Sequence, residues 1–174
     1  MSDEKQIREA VETLKTGDMH ARRAATELLG SAGEAAVEPL IRAMLESGND
    51  LRWYAARALV RIGSPSVQPL LRAMHETGDQ DFRRYAMAAL AEIGEAAVDP
   101  LIEDLISEDE ELRPYVVTAL CAIGEPAVEP LTEIMKEHPD RKIQTCAALL
   151  LWKMGEPGAA PLTEALQEER SRTP

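Results

Sequence analysis

Residues 33–40 read GEAAVEPL, running from Gly33 through Pro39 to Leu40, and the phrase returns four more times along the chain. It stands as GSPSVQPL at 63–70, GEAAVDPL at 94–101, GEPAVEPL at 124–131 and GEPGAAPL at 155–162. The glycines Gly33, Gly63, Gly94, Gly124 and Gly155 are spaced by 30, 31, 30 and 31 residues. Six positions after each comes a proline: Pro39, Pro69, Pro100, Pro130 and Pro161. A leucine follows every proline (Leu40, Leu70, Leu101, Leu131, Leu162), and another precedes every glycine by four (Leu29, Leu59, Leu90, Leu120, Leu151). Self-similarity at this period signals stacked supersecondary units, each packed only on its neighbours.

Within one unit the apolar spacing is helical. Glu34 to Ser47 carries Val37, Leu40, Ile41 and Met44 at the i, i+3, i+4, i+7 positions of a half-buried helix. Gly48, Asn49 and Asp50 break it, and a second helix runs to Ile62 with Leu51, Ala55, Ala58, Leu59 and Ile62 on one side. Gly63 ends that helix in a conformation open to glycine. Each proline falls in or just past the first turn of the first helix, where a missing N–H costs little. Acidic residues such as Glu34 and Glu38 suit the positive end of the helix dipole. Asp18, Asp79, Asp109 and Asp140 lie at the inter-helix turns, placed to cap the second helices. We call the first helix of a pair A and the second B.

This parse gives one domain over 1–174, with A–B pairs at about 3–33, 34–63, 64–94, 95–124 and 125–155. The first A helix spans Asp3 to Thr16, its apolar face formed by Ile7, Ala10, Val11 and Leu14. A capping helix follows at 156–167, and the polar tail 168–174 is expected to fray. Pro114 interrupts the fourth B helix, which either starts near Arg113 or kinks there.

Composition agrees with helices. Aromatic residues make up only 3% of the chain, so Leu, Ile, Val, Ala and Met must fill the interior. A net charge of -12 argues against general nucleic-acid binding and against adsorption to anionic membranes. No charged-then-apolar leader opens the sequence and no apolar run nears eighteen residues, so a cytoplasmic location is expected. Cys121 and Cys146 have no metal-type or disulfide spacing and read as small, reduced, apolar residues.

The chain resembles the HEAT-repeat family, in particular its phycobilisome-lyase-type HEAT-like subclass. The resemblance rests on Val-x-Pro-Leu in helix A (Val37, Pro39, Leu40) and on Leu51-Arg52, Ala58-Leu59 and Ile62-Gly63 in helix B. It covers nearly the whole chain and implies an all-α, right-handed α-solenoid whose B helices line a concave groove. It also implies an internal ladder in which Arg22, Arg52, Arg83 and Arg113 pair with turn aspartates of neighbouring repeats. Gln144 takes the arginine's place in the fifth repeat, so the ladder is expected to weaken towards the C-terminal end.

With B helices lining a groove, the position nine before each glycine holds Ala24, Tyr54, Tyr85, Tyr115 and Cys146. All three tyrosines thus fall on one row, and the row beside it adds Arg23, Trp53 and Arg84. Trp53, Arg57 and Arg61 follow at i, i+4 and i+8 on one face, so Arg57 is placed to lie over the ring of Trp53 or Tyr54. Packed helices stand about 8–10 Å apart, giving a stripe of roughly 20 Å, the length of a strand of about six residues. Aromatic residues and arginine are the types enriched in binding hot spots. The same tyrosines could instead pack the seam between successive B helices. Trp152 reads as a packing residue of the terminal repeat. The acidic residues of the A helices (Glu38, Glu46, Asp99, Glu103, Asp104, Glu129, Glu133, Glu137) read as a solvated convex face.

No nucleophile–base pair, phosphate-binding loop or carboxylate-rich loop is visible. His75-Glu76 is the only His-Glu pair, too few for the dinuclear iron site found in one HEAT-like hydroxylase. The reading is therefore a non-catalytic scaffold that binds a protein or peptide through Arg23, Trp53, Tyr54, Arg57, Arg61, Arg84, Tyr85 and Tyr115, with no cofactor and no metal. A bilin lyase or chromophore-handling subunit is the alternative that the family resemblance brings, with nucleic-acid binding behind it.

Overall fold

A computed structural model describes residues 3–107 and 109–172. Every element among them is helical, and the chain folds into two compact units, Met1–Ala97 and Val98–Pro174.

The first unit holds three A–B pairs: α1 (Asp3–Thr16) with α2 (Met19–Ser31), α3 (Val37–Glu46) with α4 (Asn49–Ile62), and α5 (Val67–Glu76) with α6 (Gln80–Ile93). Each helix packs on its partner, while A helices adjoin A helices (α1, α3, α5) and B helices adjoin B helices (α2, α4, α6). Leu14, Leu29, Leu40, Met44, Leu59, Leu70, Met74, Phe82 and Leu90 are fully buried between these two layers. The motif leucines before each glycine and after each proline are therefore the bolts of the stack. Burying one stabilises it by about 1.5–3 kcal/mol.

The second unit holds α7 (Val98–Ile106), α8 (Arg113–Ile123), α9 (Val128–Glu137), α10 (Arg141–Lys153) and α11 (Glu156–Arg172). Leu101, Leu105, Leu112, Val116, Leu120, Leu131 and Leu151 form its core. Helix α8 begins at Arg113 with Pro114 in its first turn, which decides between the two readings of that proline.

Two boundaries differ from the sequence reading. Helix A of the second repeat starts at Val37, after a 3-10 turn at Gly33–Ala36, rather than at Glu34. The tighter turn follows from Gly33, whose φ of 66° lets the chain reverse before the helix begins. The capping helix runs on to Arg172 instead of ending at Gln167, so most of the stretch read as a frayed tail is helical; residues 173–174 lie outside the described chain. Helix α11 also has no preceding 3-10 turn, which leaves Pro161 inside the helix.

Three of the four turn aspartates cap the second helices as expected, while the N-cap of α8 is Leu112, with no side-chain cap. Asp18 accepts from the Ala21 N–H at 2.8 Å, Asp140 from Lys142 at 2.7 Å, and Asp79 from Asp81 and Phe82 at 2.9 and 3.0 Å. Asp109 accepts from Glu111 and Leu112 in the turn that precedes α8.

Candidate functional site

The B-helix arginines do something the sequence did not disclose. Each reaches back to a carbonyl at the end of its own A helix: Arg22 Nη2 to Lys15 O (3.2 Å), Arg52 Nε to Met44 O (2.9 Å), Arg83 Nε to Met74 O (3.1 Å) and Arg113 Nη2 to Ser107 O (3.0 Å). Gln144 Nε2 makes the same bond to His138 O at 2.7 Å. The side chain thus clasps the helix pair by satisfying a carbonyl that helix A leaves unbonded. Glutamine can replace arginine in that role because only one donor is needed.

The inter-repeat ladder is narrower than the resemblance implied. Arg52 is buried and its Nη1 and Nη2 hold the Asp79 carboxylate of the next repeat at 3.3 and 2.5 Å. The N–H of Phe82 and the Arg52 guanidinium together lower the Asp79 pKa below the ordinary 3.8. Arg113 instead pairs at 3.6 Å with Glu110 of its own turn, not with Asp140. Arg22 has no turn aspartate to meet, since Gly48 stands where the other four repeats carry one. Its guanidinium lies 5.8 Å from the Tyr54 ring centroid.

That geometry corrects the cation–π expectation. Arg57 does not lie over either ring; it forms an ion pair with Glu92, joining α4 to α6. A carboxylate within reach is a stronger partner for an exposed guanidinium than a ring face. The Tyr54 ring meets Trp53 edge-on, with centroids 4.8 Å apart and planes at 87°. Tyr54, Tyr85 and, in the second unit, Tyr115 are all half-buried.

Trp53 is 49% exposed, and Arg57 and Arg61 are exposed on the same helix face. Arg23 on α2 and Arg84 on α6 are exposed as well, and Arg84 pairs with Asp81 at 2.6 Å. The structure therefore brings Arg23, Trp53, Tyr54, Arg57, Arg61, Arg84 and Tyr85 onto the B-helix layer of one unit. Tyr115 occupies the equivalent helix position in the other. Helices α2 and α4 pack tightly at Gly30, where an added Cβ would stand 2.8 Å from Arg61 Cβ.

Trp152 is 73% exposed on α10, close to Leu149 at 59%, so it is not the packing residue the sequence suggested. Leu150 and Leu151 supply the apolar surface that α10 buries, which turns Trp152 outward. Cys121 and Cys146 are free and half-buried; burial pushes both thiols up, so they are protonated at neutral pH and weak nucleophiles. Among the described residues, no group of three or more His, Cys, Asp and Glu is gathered to hold a metal ion, and no helix is long and apolar enough to cross a membrane.

Paired helices stacked through repeated leucines, with one exposed layer of aromatic and basic side chains, define a helical-repeat scaffold. The family model for HEAT repeats matches residues 37–111 and 98–173, and the chain belongs to that family. The match is to HEAT repeats as a class and does not single out the phycobilisome-lyase-type subclass. No curated protein matches the chain in sequence.

Solved structures similar to it include an engineered protein from the Northeast Structural Genomics Consortium, 21% identical with a TM-score of 0.39 over 100% of this chain and 91% of that one. A second engineered protein from the same consortium is 22% identical with a TM-score of 0.36, over 95% of this chain and 51% of the other. A designed armadillo repeat protein in complex with a (KR)4 peptide is 21% identical with a TM-score of 0.35, over 91% and 90%. Likeness at this level says nothing of what the chain binds.

Proposed function

We propose that the protein is a non-catalytic scaffold that captures another protein or a peptide on the layer formed by its B helices. Trp53 is the centre of the site, with Arg23, Arg57, Arg61 and Arg84 around it and Tyr54 and Tyr85 on the same layer; Tyr115 offers the equivalent position in the second unit. The observation that carries this reading is the half-exposed indole of Trp53, held edge-on by Tyr54 among exposed arginines. Folding gains little from a large ring left in water beside charge, whereas a partner that covers it gains a pre-oriented anchor. The surrounding molecule is strongly acidic, so the exposed Arg23 and Arg61, which unlike Arg57 and Arg84 are not in the ion pairs described above, also give direction to an encounter.

The test is affinity capture from the source organism with wild-type protein and a Trp53→Ala variant shown by circular dichroism to be folded. A partner retained by the wild type and lost by the variant is the expected result. Equal recovery by both would remove Trp53 from the binding surface and the reading with it.

A further inference from the structure

The position three before each motif glycine is where one B helix meets the next. Gly30 on α2 lies against Arg61 of α4, and Cys121 on α8 is half-buried within electrostatic reach of Lys153 on α10. In α10 that position is Trp152, and no further B helix covers it among the described residues. Leu149 stands one turn away, and the two are 73% and 59% exposed. Packing inside the unit does not explain them, since α10 already buries Ala147, Leu150 and Leu151. A helix edge left without a neighbour in a repeat stack ordinarily turns polar side chains outward.

The same edge carries a pattern that matches itself in reverse. Arg141, Thr145, Ala148 and Trp152 follow at i, i+4, i+7 and i+11, the spacing of a helix–helix seam, and Glu156 comes four residues later, just past Gly155. All are exposed except the half-buried Ala148. A second α10 laid antiparallel on the first, about a two-fold axis between Ala148 and Leu149, sets Arg141 opposite Glu156 and Thr145 opposite Trp152. Ala148 then falls opposite Leu149. Opposite charges meet at both ends of the seam, and each large side chain meets a small one, as close packing requires. Arg141 and Glu156 enter no ion pair among the described residues. The Thr145 hydroxyl already bonds the Arg141 carbonyl at 2.8 Å, so covering it with a ring strands no donor. Helix α11 keeps the approach free of charge. Arg8 and Val11 of α1 line the recess beside α3, and the same repeat positions in α11 hold Ala160 and Thr163, exposed and uncharged.

We infer that this edge of α10 is the interface of a closed, two-fold dimer, its partner a second copy of this chain. The contact is isologous: Trp152 of each copy covers Thr145 of the other, and Arg141 of each meets Glu156 of the other. In a chain of net charge -12, a seam that is neutral at its centre and self-complementary at its ends lets two copies meet without like charges in contact. The inference goes beyond the groove reading and stands without it.

The experiment is sedimentation velocity on the full chain from about 1 to 500 µM, the range in which a small interface associates. The wild type should pass from monomer to dimer and stop there. Trp152→Glu, checked as folded by circular dichroism, should stay monomeric throughout. Arg141→Glu should raise the dissociation constant about tenfold, because the two-fold axis repeats the contact. Adding Glu156→Arg should bring it back towards the wild-type value. Leu28 on α2 is 44% exposed where Ala58 of α4 is buried, so it marks the edge that head-to-tail growth would use. Leu28→Glu should leave the dimer unchanged. A monomer at every concentration, a dimer that survives Trp152→Glu, or no recovery on exchanging the charges would overturn the interface. Species larger than a dimer that Leu28→Glu abolishes would overturn it too, by making the contact head-to-tail.

Discussion

Arg52 joins three groups in one buried side chain: its own helix B, the end of helix A, and the carboxylate that caps the next repeat. Removing it strands the Met44 carbonyl and the Asp79 carboxylate. Arg52→Ala should therefore lower unfolding stability in urea by about 1.5–3 kcal/mol, the range for hydrogen bonds to charged groups. Arg52→Gln should lose less, because Gln144 shows that an amide can keep the carbonyl clasp. Equal losses for the two would mean that the ion pair, not the clasp, carries the stability. Asp79 adds a pH dependence of known sign. Its folded pKa lies below the ordinary 3.8, so the unfolded chain binds the extra proton first. The contribution of Asp79 is complete above the unfolded value and fades as pH falls through the folded one. Asp79→Asn should flatten the decline in stability below about pH 4, measured by denaturation across the acid range. An unchanged acid profile would show that Asp79 is not the group responsible.

At the scale of the element, the punctuation of the chain was readable because it is local. The span Asp3 to Thr16, an interruption at Pro114 and the caps Asp18, Asp79 and Asp140 follow from proline, glycine and carboxylate chemistry acting within four residues. What long side chains choose as partners was not readable. Arg57 turned to Glu92, 35 residues away, and Trp152 turned to solvent, because rotamers are settled by neighbours that only packing assembles. The 3-10 turns were missed for a related reason, since a helical register looks the same in sequence whether its first turn is tight or not. One element carries a sharp steric claim. Gly158, near the start of α11, lies so close to α10 that an added Cβ would stand 1.9 Å from the Leu151 carbonyl oxygen. Gly158→Ala should lift α11 from α10, read as loss of amide-exchange protection across 156–172 while α3 to α6 keep theirs. Unaltered protection in α11 would mean that the two helices are held apart from that contact.

For the whole molecule, the regular residues and the irregular ones divide the work. The leucines that recur are buried in the core, all but the half-buried Leu162, and the glycines sit at turns. The prolines are half-buried in the first turns of A helices or, for Pro161, inside α11, and together these residues make the stack. Trp53, Arg57 and Arg61 occur at their positions in one repeat only, and they are exposed on the B-helix layer. Trp53 should therefore be separable from stability: Trp53→Ala should melt within a degree or two of the wild type, while Tyr54→Ala, which also removes a half-buried ring from under Arg22, should melt lower. The most direct test of the account is a calorimetric titration of the captured partner into wild type and into Trp53→Ala. Loss of a hot-spot residue costs about 2 kcal/mol or more, so affinity should fall by roughly 30-fold or more with the fold intact. Unchanged affinity in Trp53→Ala, with loss instead on substituting Glu38 of α3 and Arg72 of α5, an exposed ion pair at 3.9 Å on the A-helix layer, would place binding on the opposite layer and contradict it.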